Sequence, residues 1–195
     1  MDFEKNILLL KDHFRMFLQT QSFDCGAASM NAIIHYHTRI NVPMFDLYNI
    51  GYLYEKNKND AHLFDDGLSG DALVCIGKKY GITPYEYENA TLNDIVFYLT
   101  KDAPVLISFI SPRHVVSNID DPANNGAHYS VISGIKKTAK GIKLKISDPG
   151  VSINFVNGLN YWMDYSLFEK RWFDIDTSDY KILNRTMTAF SLKKI

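Results

Sequence analysis

The sequence predicts one globular domain, residues 1–195, that mixes α-helices with antiparallel β-strands. Apolar residues recur at helical spacing after Cys25, after Pro43 and after Ser69. Near-continuous or alternating apolar runs at 104–110, 129–135 and 142–146 read as strands, the last two as a hairpin. A chain with 46% hydrophobic and 22% charged residues can bury a sizeable core, and no repeat, low-complexity tract or linker divides it.

In chain order, Phe14, Met16 and Leu18 alternate, so 14–18 reads as an extended lead-in to Gln19. A polar, turn-prone run ends at Asp24, and Ala27, Met30, Ile33 and Ile34 then set a buried helix from Cys25 to about His37. His35 and His37 stand two residues apart, about 200° around a helix, and so do not make a metal-ligand pair. Pro43 opens a second helix through Phe45, Leu47, Tyr48, Tyr52 and Leu53, ending in a polar loop at Lys56–Asp60. His62, Asp65 and Asp66 beyond it read as solvated loop residues rather than a hard-metal site. Ser69 caps a third helix through Leu73, Ile76 and Lys79, closed by Gly81, with Cys75 as core packing in its middle. Residues 82–87 lean towards a strand, and Thr91 caps a short helix through Leu99. Residues 104–110, apolar on both faces, must form a central strand. The polar run from Ser111 to Ala127 is long enough to be a binding loop or lid. His128 then starts the strand Tyr129–Ile135, a turn spans Lys136–Gly141, and Ile142–Ile146 is the hairpin partner, ending in Ser147-Asp148-Pro149-Gly150. A helix near 165–172 and a strand at Met187–Leu192 complete the chain.

Charge and cysteine content narrow the function. With 21 basic and 22 acidic residues the chain offers no electrostatic footprint for nucleic acid or an anionic membrane. Its two cysteines, Cys25 and Cys75, make no disulfide framework, and a thiol kept free for chemistry suits a reducing, cytoplasmic compartment. The run Ile7–Leu10 is flanked by Asp2, Glu4, Lys11 and Asp12 with no small-residue cleavage site, so it is not a signal peptide. No run approaches the roughly 18 to 20 apolar residues of a membrane span.

Three residues form the candidate site. Cys25 at a helix N-terminus sits among unpaired N–H groups that favour the thiolate. Hairpin geometry brings the start of one strand beside the end of the next, and so His128 beside Asp148. Together they supply a nucleophile, a base and an orienter. Gln19, six residues before Cys25, is placed to offer an amide N–H to an oxyanion beside the Cys25 backbone N–H. Each alone has an ordinary reading: Cys25 as a small core residue, His128 as a hydrogen-bonded core or loop histidine, Asp148 as part of an Asp-Pro-Gly turn. The joint arrangement favours chemistry.

Gln19, Asp24-Cys25-Gly26-Ala27-Ala28, Gly67-Leu-Ser-Gly-Asp-Ala-Leu, Lys79-Tyr-Gly81, Pro104-Val-Leu-Ile, His128-Tyr-Ser-Val-Ile-Ser-Gly-Ile and Asp148-Pro fall in an order that resembles the double-glycine-leader peptidases, family 39 of the cysteine peptidases. The resemblance covers about residues 14–175. It implies an α+β, papain-like fold, with a helical half bearing the cysteine packed on an antiparallel sheet bearing the histidine and aspartate. It also implies a bacterial cysteine endopeptidase that trims leader peptides from bacteriocins and related precursors without a metal or organic cofactor. Its catalytic residues fall on Cys25, His128 and Asp148, and its oxyanion glutamine on Gln19 rather than Gln21. In leader-processing members the domain usually precedes a membrane-spanning exporter, which this chain lacks, so a free-standing member with another peptide or protein substrate is expected. The loop before His128 and the turn at Lys136–Gly141 also look longer than the family's pattern. The same triad serves acyltransferases and deamidases, and a catalytically silent peptide-binding module is the remaining alternative.

Overall fold

The computed structural model of the chain describes residues 6–21, 23–57, 67–110, 127–150, 160–175 and 182–195. The elements follow as β1 (Ile7–Leu9), α1 (Cys25–Thr38), α2 (Met44–Asn57), α3 (Gly70–Lys79), β2 (Thr83–Tyr87), α4 (Leu92–Thr100), β3 (Val105–Ile110), β4 (Ala127–Thr138), β5 (Gly141–Ser147), β6 (Asn160–Asp164), α5 (Tyr165–Glu169), β7 (Phe173–Ile175), β8 (Ile182–Asn184) and β9 (Met187–Ser191).

Capping chemistry explains where α3 and α4 start. The Ser69 hydroxyl accepts from the Ala72 N–H to begin α3. At α4, Thr91 and Asp94 form a reciprocal capping box. Helix α1 is apolar nearly all round, with Gly26 to Ile34 buried, as a helix inside the core must be. Its first turn therefore enters the interior from Gly26 on, with Cys25 half-buried at its start.

The main sheet is antiparallel at every pairing, in the order β2-β9-β3-β4-β5-β6, with β1 added to β4. Strand β3 is buried at all six residues between β9 and β4, the central place its unbroken apolar run demands. One edge of β4 serves two partners in turn. Residues 127–132 pair with β3, and Gly134, Ile135 and Lys136 pair with β1. The register against β5 shifts between Ile132 and Gly134, and the Ser133 carbonyl at that shift accepts from the Leu10 N–H, 3.2 Å. Gly134 is required by the close approach: a Cβ there would lie 2.4 Å from Leu9 Cδ2 and 3.1 Å from the Leu8 carbonyl oxygen. Met30, Ile33 and Ile34 of α1 join Leu73 and Ile76 of α3, Val131 and Ile135 of β4, Phe168 and Trp172 in one buried cluster. This is the α+β, papain-like arrangement expected.

Several local expectations change. Residues 14–18 carry no strand, although Phe14 and Met16 are buried. The N-terminal strand is Ile7–Leu9, because the edge of β4 beyond Ile132 is open to a partner there. On α2 the inward face is Leu47, Gly51 and Glu55, while Phe45 and Leu53 are 74% and 57% exposed. The Leu68 side chain packs so tightly over Gly51 that this face is the one α2 must turn inward. The β4–β5 strands run further than expected, leaving only Ala139 and Lys140 in the turn. Helix α5 is shorter, ending at Glu169, and β7 and β8 make a separate two-stranded ribbon with no sequence signal of its own. His62, Asp65, Asp66 and 111–126 lie outside the described residues.

Candidate active site

Cys25 is the first residue of α1. His128 is the second residue of β4, and Asp148 directly follows β5. With Val131 opposite Ser147, the antiparallel register sets Asp148 diagonally across from His128, which is within reach of an imidazole and a carboxylate. His128 Nε2 and Asp148 Oδ1 are 2.7 Å apart, both side chains buried. The Gly150 N–H donates to the same oxygen at 2.8 Å, and the Tyr161 hydroxyl donates to Oδ2 at 3.3 Å. Asp148 is thus a buried carboxylate with its lone pairs matched by donors, as burial of a charge requires. Gly150 has a steric reason too, since a Cβ there would meet Asp148 Oδ1 at 3.1 Å and the His128 ring at 3.4 Å.

The other side of the imidazole meets the thiol. Because Nε2 is engaged by Asp148, Nδ1 is the ring nitrogen left for the Cys25 sulfur, with which His128 makes a side-chain hydrogen bond. Burial pushes the thiol pKa up, but the His128 hydrogen bond and charge, with the Tyr129 and Gly26 backbone N–H groups, pull it net below the ordinary value of 9.0. Burial pushes His128 down, and its bonds to Asp148 and Cys25 outweigh this and raise it to about 9. The two shifts share a cause, since each charged form is the other's partner, and Asp148 adds to the one on His128. Both shifts favour the thiolate and imidazolium form of the pair over the neutral one.

Gln19 is tied to this centre through the backbone, its N–H donating to the Pro149 carbonyl at 3.0 Å beside Asp148. Its side-chain amide Nε2 donates to the Gln21 carbonyl at 2.8 Å, which uses one of two amide hydrogens. The structure thus brings Cys25, His128 and Asp148 into contact and anchors Gln19 on the turn that follows Asp148. Cys75 stays in α3, a free thiol away from this cluster. His35 and His37 diverge: His35 packs edge-on to Phe17, and His37 Nε2 bonds the Phe190 carbonyl at 2.9 Å. Among the described residues no three His, Cys, Asp or Glu side chains are grouped to hold a metal ion.

Three neighbours of the site were not legible in the sequence. Tyr161 reaches Asp148 only because β6 pairs with β5, Ile146 opposite Tyr161, and no motif announces that pairing. Gly150 reads as an ordinary turn glycine. Asp24 reads only as the end of a turn-prone run, yet its buried side chain turns back to accept from the Thr20 and Gln21 N–H groups.

No curated protein matches the chain. Residues 10–165, which include Gln19, Cys25, His128 and Asp148, match the family described as papain-like cysteine protease AvrRpt2. Among solved structures, a putative C39-like peptidase from Bacillus anthracis is 14% identical, with TM-score 0.65 over 97% of this chain and 99% of that one. Xylellain, a cysteine protease from Xylella fastidiosa, is 13% identical, with TM-score 0.65 over 97% and 87%. The peptidase domain of Streptococcus ComA is 15% identical, with TM-score 0.58 over 92% and 98%. At these identities the likeness is one of fold. Among the described residues no helix is long and apolar enough to cross a membrane. The family match spans most of the chain and the fold agrees with it: the protein belongs to the papain-like cysteine protease family.

Proposed function

We propose that the chain is a cysteine endopeptidase in which Cys25 is the nucleophile, His128 the general base and acid, Asp148 the orienter and Gln19 an oxyanion donor. The observation that carries this reading is the unbroken contact from the Cys25 thiol through His128 to the buried Asp148 carboxylate. The thiolate attacks the scissile carbonyl and forms a C–S bond. Charge then moves to the carbonyl oxygen, beside the Cys25 N–H and the Gln19 amide. His128, held by Asp148 with its proton-carrying nitrogen towards the substrate, gives that proton to the departing amine. It next takes one from the water that hydrolyses the acyl-enzyme.

The substrate class is a peptide or unfolded segment of a protein, and processing of a leader or precursor in a bacterial cytoplasm fits the motif order. A double-glycine-motif protease from an AMS/PCAT transporter, solved in complex with the leader peptide, shares the fold at TM-score 0.52 and 15% identity, which supports a peptide substrate. The test is a search for new N-termini in a bacterial lysate treated with the protein or with Cys25→Ala. New termini that need Cys25 are expected. Incorporation of an added amine into the products in place of hydrolysis would overturn endopeptidase activity in favour of acyl transfer.

A further inference from the structure

Asp24 stands at the N-cap position of α1, where an aspartate ordinarily accepts from the first-turn amides. It does not. Its backbone is helical, φ −81° and ψ 0°, and its side chain makes no cap bond. Instead the carboxylate, 2% exposed, turns back along the chain. Its Oδ2 accepts from the Thr20 N–H at 3.1 Å, the Gln21 N–H at 2.9 Å and the Thr20 hydroxyl. The Tyr48 hydroxyl, which donates to the Phe23 carbonyl at 2.9 Å, lies against the same carboxylate. The Gln21 carbonyl closes the loop, accepting from the Asp24 N–H at 3.3 Å and from the Gln19 side-chain amide at 2.8 Å.

A negative charge one residue before a thiolate does nothing to lower the thiol pKa, and the groups that do so are His128, Tyr129 and Gly26. The carboxylate therefore has another use. The Thr20 and Gln21 N–H groups are both bonded to it, so it fixes the backbone leading into Gln21, whose carbonyl holds the Gln19 amide, while the Pro149 carbonyl fixes the Gln19 backbone from the sheet side. We infer that Asp24 is a positioning residue for the oxyanion donor. It acts through the Gln21 peptide to hold the Gln19 amide beside the Cys25 N–H, and it does not act on the nucleophile.

This rests on the acyl-transfer reading above, and two reactions of Cys25 separate the two claims. Acylation by p-nitrophenyl acetate passes through a tetrahedral adduct: the thiolate adds to the carbonyl, the oxygen takes the charge, and collapse expels p-nitrophenolate to leave S-acetyl-Cys25. Alkylation by iodoacetamide displaces iodide directly and forms no oxyanion. The ratio of the two rates reads the oxyanion donor alone.

The ratio is measured for the unsubstituted chain and for Gln19→Ala, Asp24→Ala, Asp24→Asn and the Gln19→Ala/Asp24→Ala double variant. We expect Gln19→Ala to lower the ratio at least tenfold, Asp24→Ala to lower it nearly as much with alkylation unchanged, and the double variant to fall no further than Gln19→Ala. Asp24→Asn, which keeps an acceptor oxygen, should restore part of the ratio. If Asp24→Ala slows both reactions together, or if its loss multiplies with that of Gln19→Ala, the positioning role is overturned. A normal ratio in both Asp24 variants beside a low one in Gln19→Ala overturns it too, and leaves the acyl-transfer reading standing. If the unsubstituted protein acylates no faster, relative to alkylation, than a small thiol does, the acyl-transfer reading itself fails and takes the inference with it. Should Asp24→Ala not fold, Asp24→Asn decides, with an unchanged ratio overturning the role if Gln19→Ala still lowers it.

Discussion

A half-buried thiol against a buried imidazole would leave both neutral unless each stabilised the other's charge. Cys25 and His128 do so, with Asp148 holding the imidazole from behind, and this fixes a pH profile. Alkylation of Cys25 by iodoacetamide should begin below pH 9.0, the ordinary thiol value, and run ahead of alkylation of Cys75. Mass spectrometry after brief labelling checks this. Turnover should fall on the alkaline side near pH 9, where His128 loses its proton. Stability carries the same signature. His128 is raised in the folded state, so its contribution is full below its ordinary pKa of 6.5 and is lost as pH rises to about 9. The gap in Tm between the protein and Asp148→Asn should therefore narrow across that range in thermal melts. Gln19→Ala should lower kcat by about 10² to 10³ with little change in KM. Gln21→Ala should be near neutral, because Gln21 is exposed and contributes its backbone groups. Cys25, His128 and Asp148 were readable because chemistry and strand order both pointed to them. Asp24 was not, because the sequence marks it only as the end of a polar run, and its bonds to Thr20 and Gln21 exist only in the folded turn.

The elements whose ends carry chemistry were the easiest to read. Ser69, Thr91 and Gly81 each mark a boundary by a local bond or backbone need, so α3 and α4 lie where the pattern put them. Thr91→Ala, which breaks the capping box, should cost about 1 kcal/mol in denaturant melts. Strands β1, β7 and β8 were hidden because three residues are too few for periodicity, and their pairing is decided by which sheet edge is open. For β1 that edge is β4 beyond its register shift, where Gly134 admits Leu8 and Leu9. Gly134→Ala should cost about 1 to 3 kcal/mol and speed hydrogen exchange at the Leu10 amide, with a smaller effect at β3. An unchanged Leu10 exchange rate would mean that β1 does not depend on this contact.

At the scale of the whole molecule, the site joins two regions that meet only in the finished fold. Cys25 precedes His128 by more than half the chain, and α1 reaches β4 across a core that also needs α3 and β3. A ribosome therefore releases the sulfur long before the imidazole and carboxylate that activate it. A nascent or misfolded chain carries an ordinary thiol, without the imidazole that favours its thiolate in the fold. In the mechanism proposed, the nucleophile is armed by completion of folding, so during refolding from denaturant the fast alkylation of Cys25 should return in step with burial of Trp172.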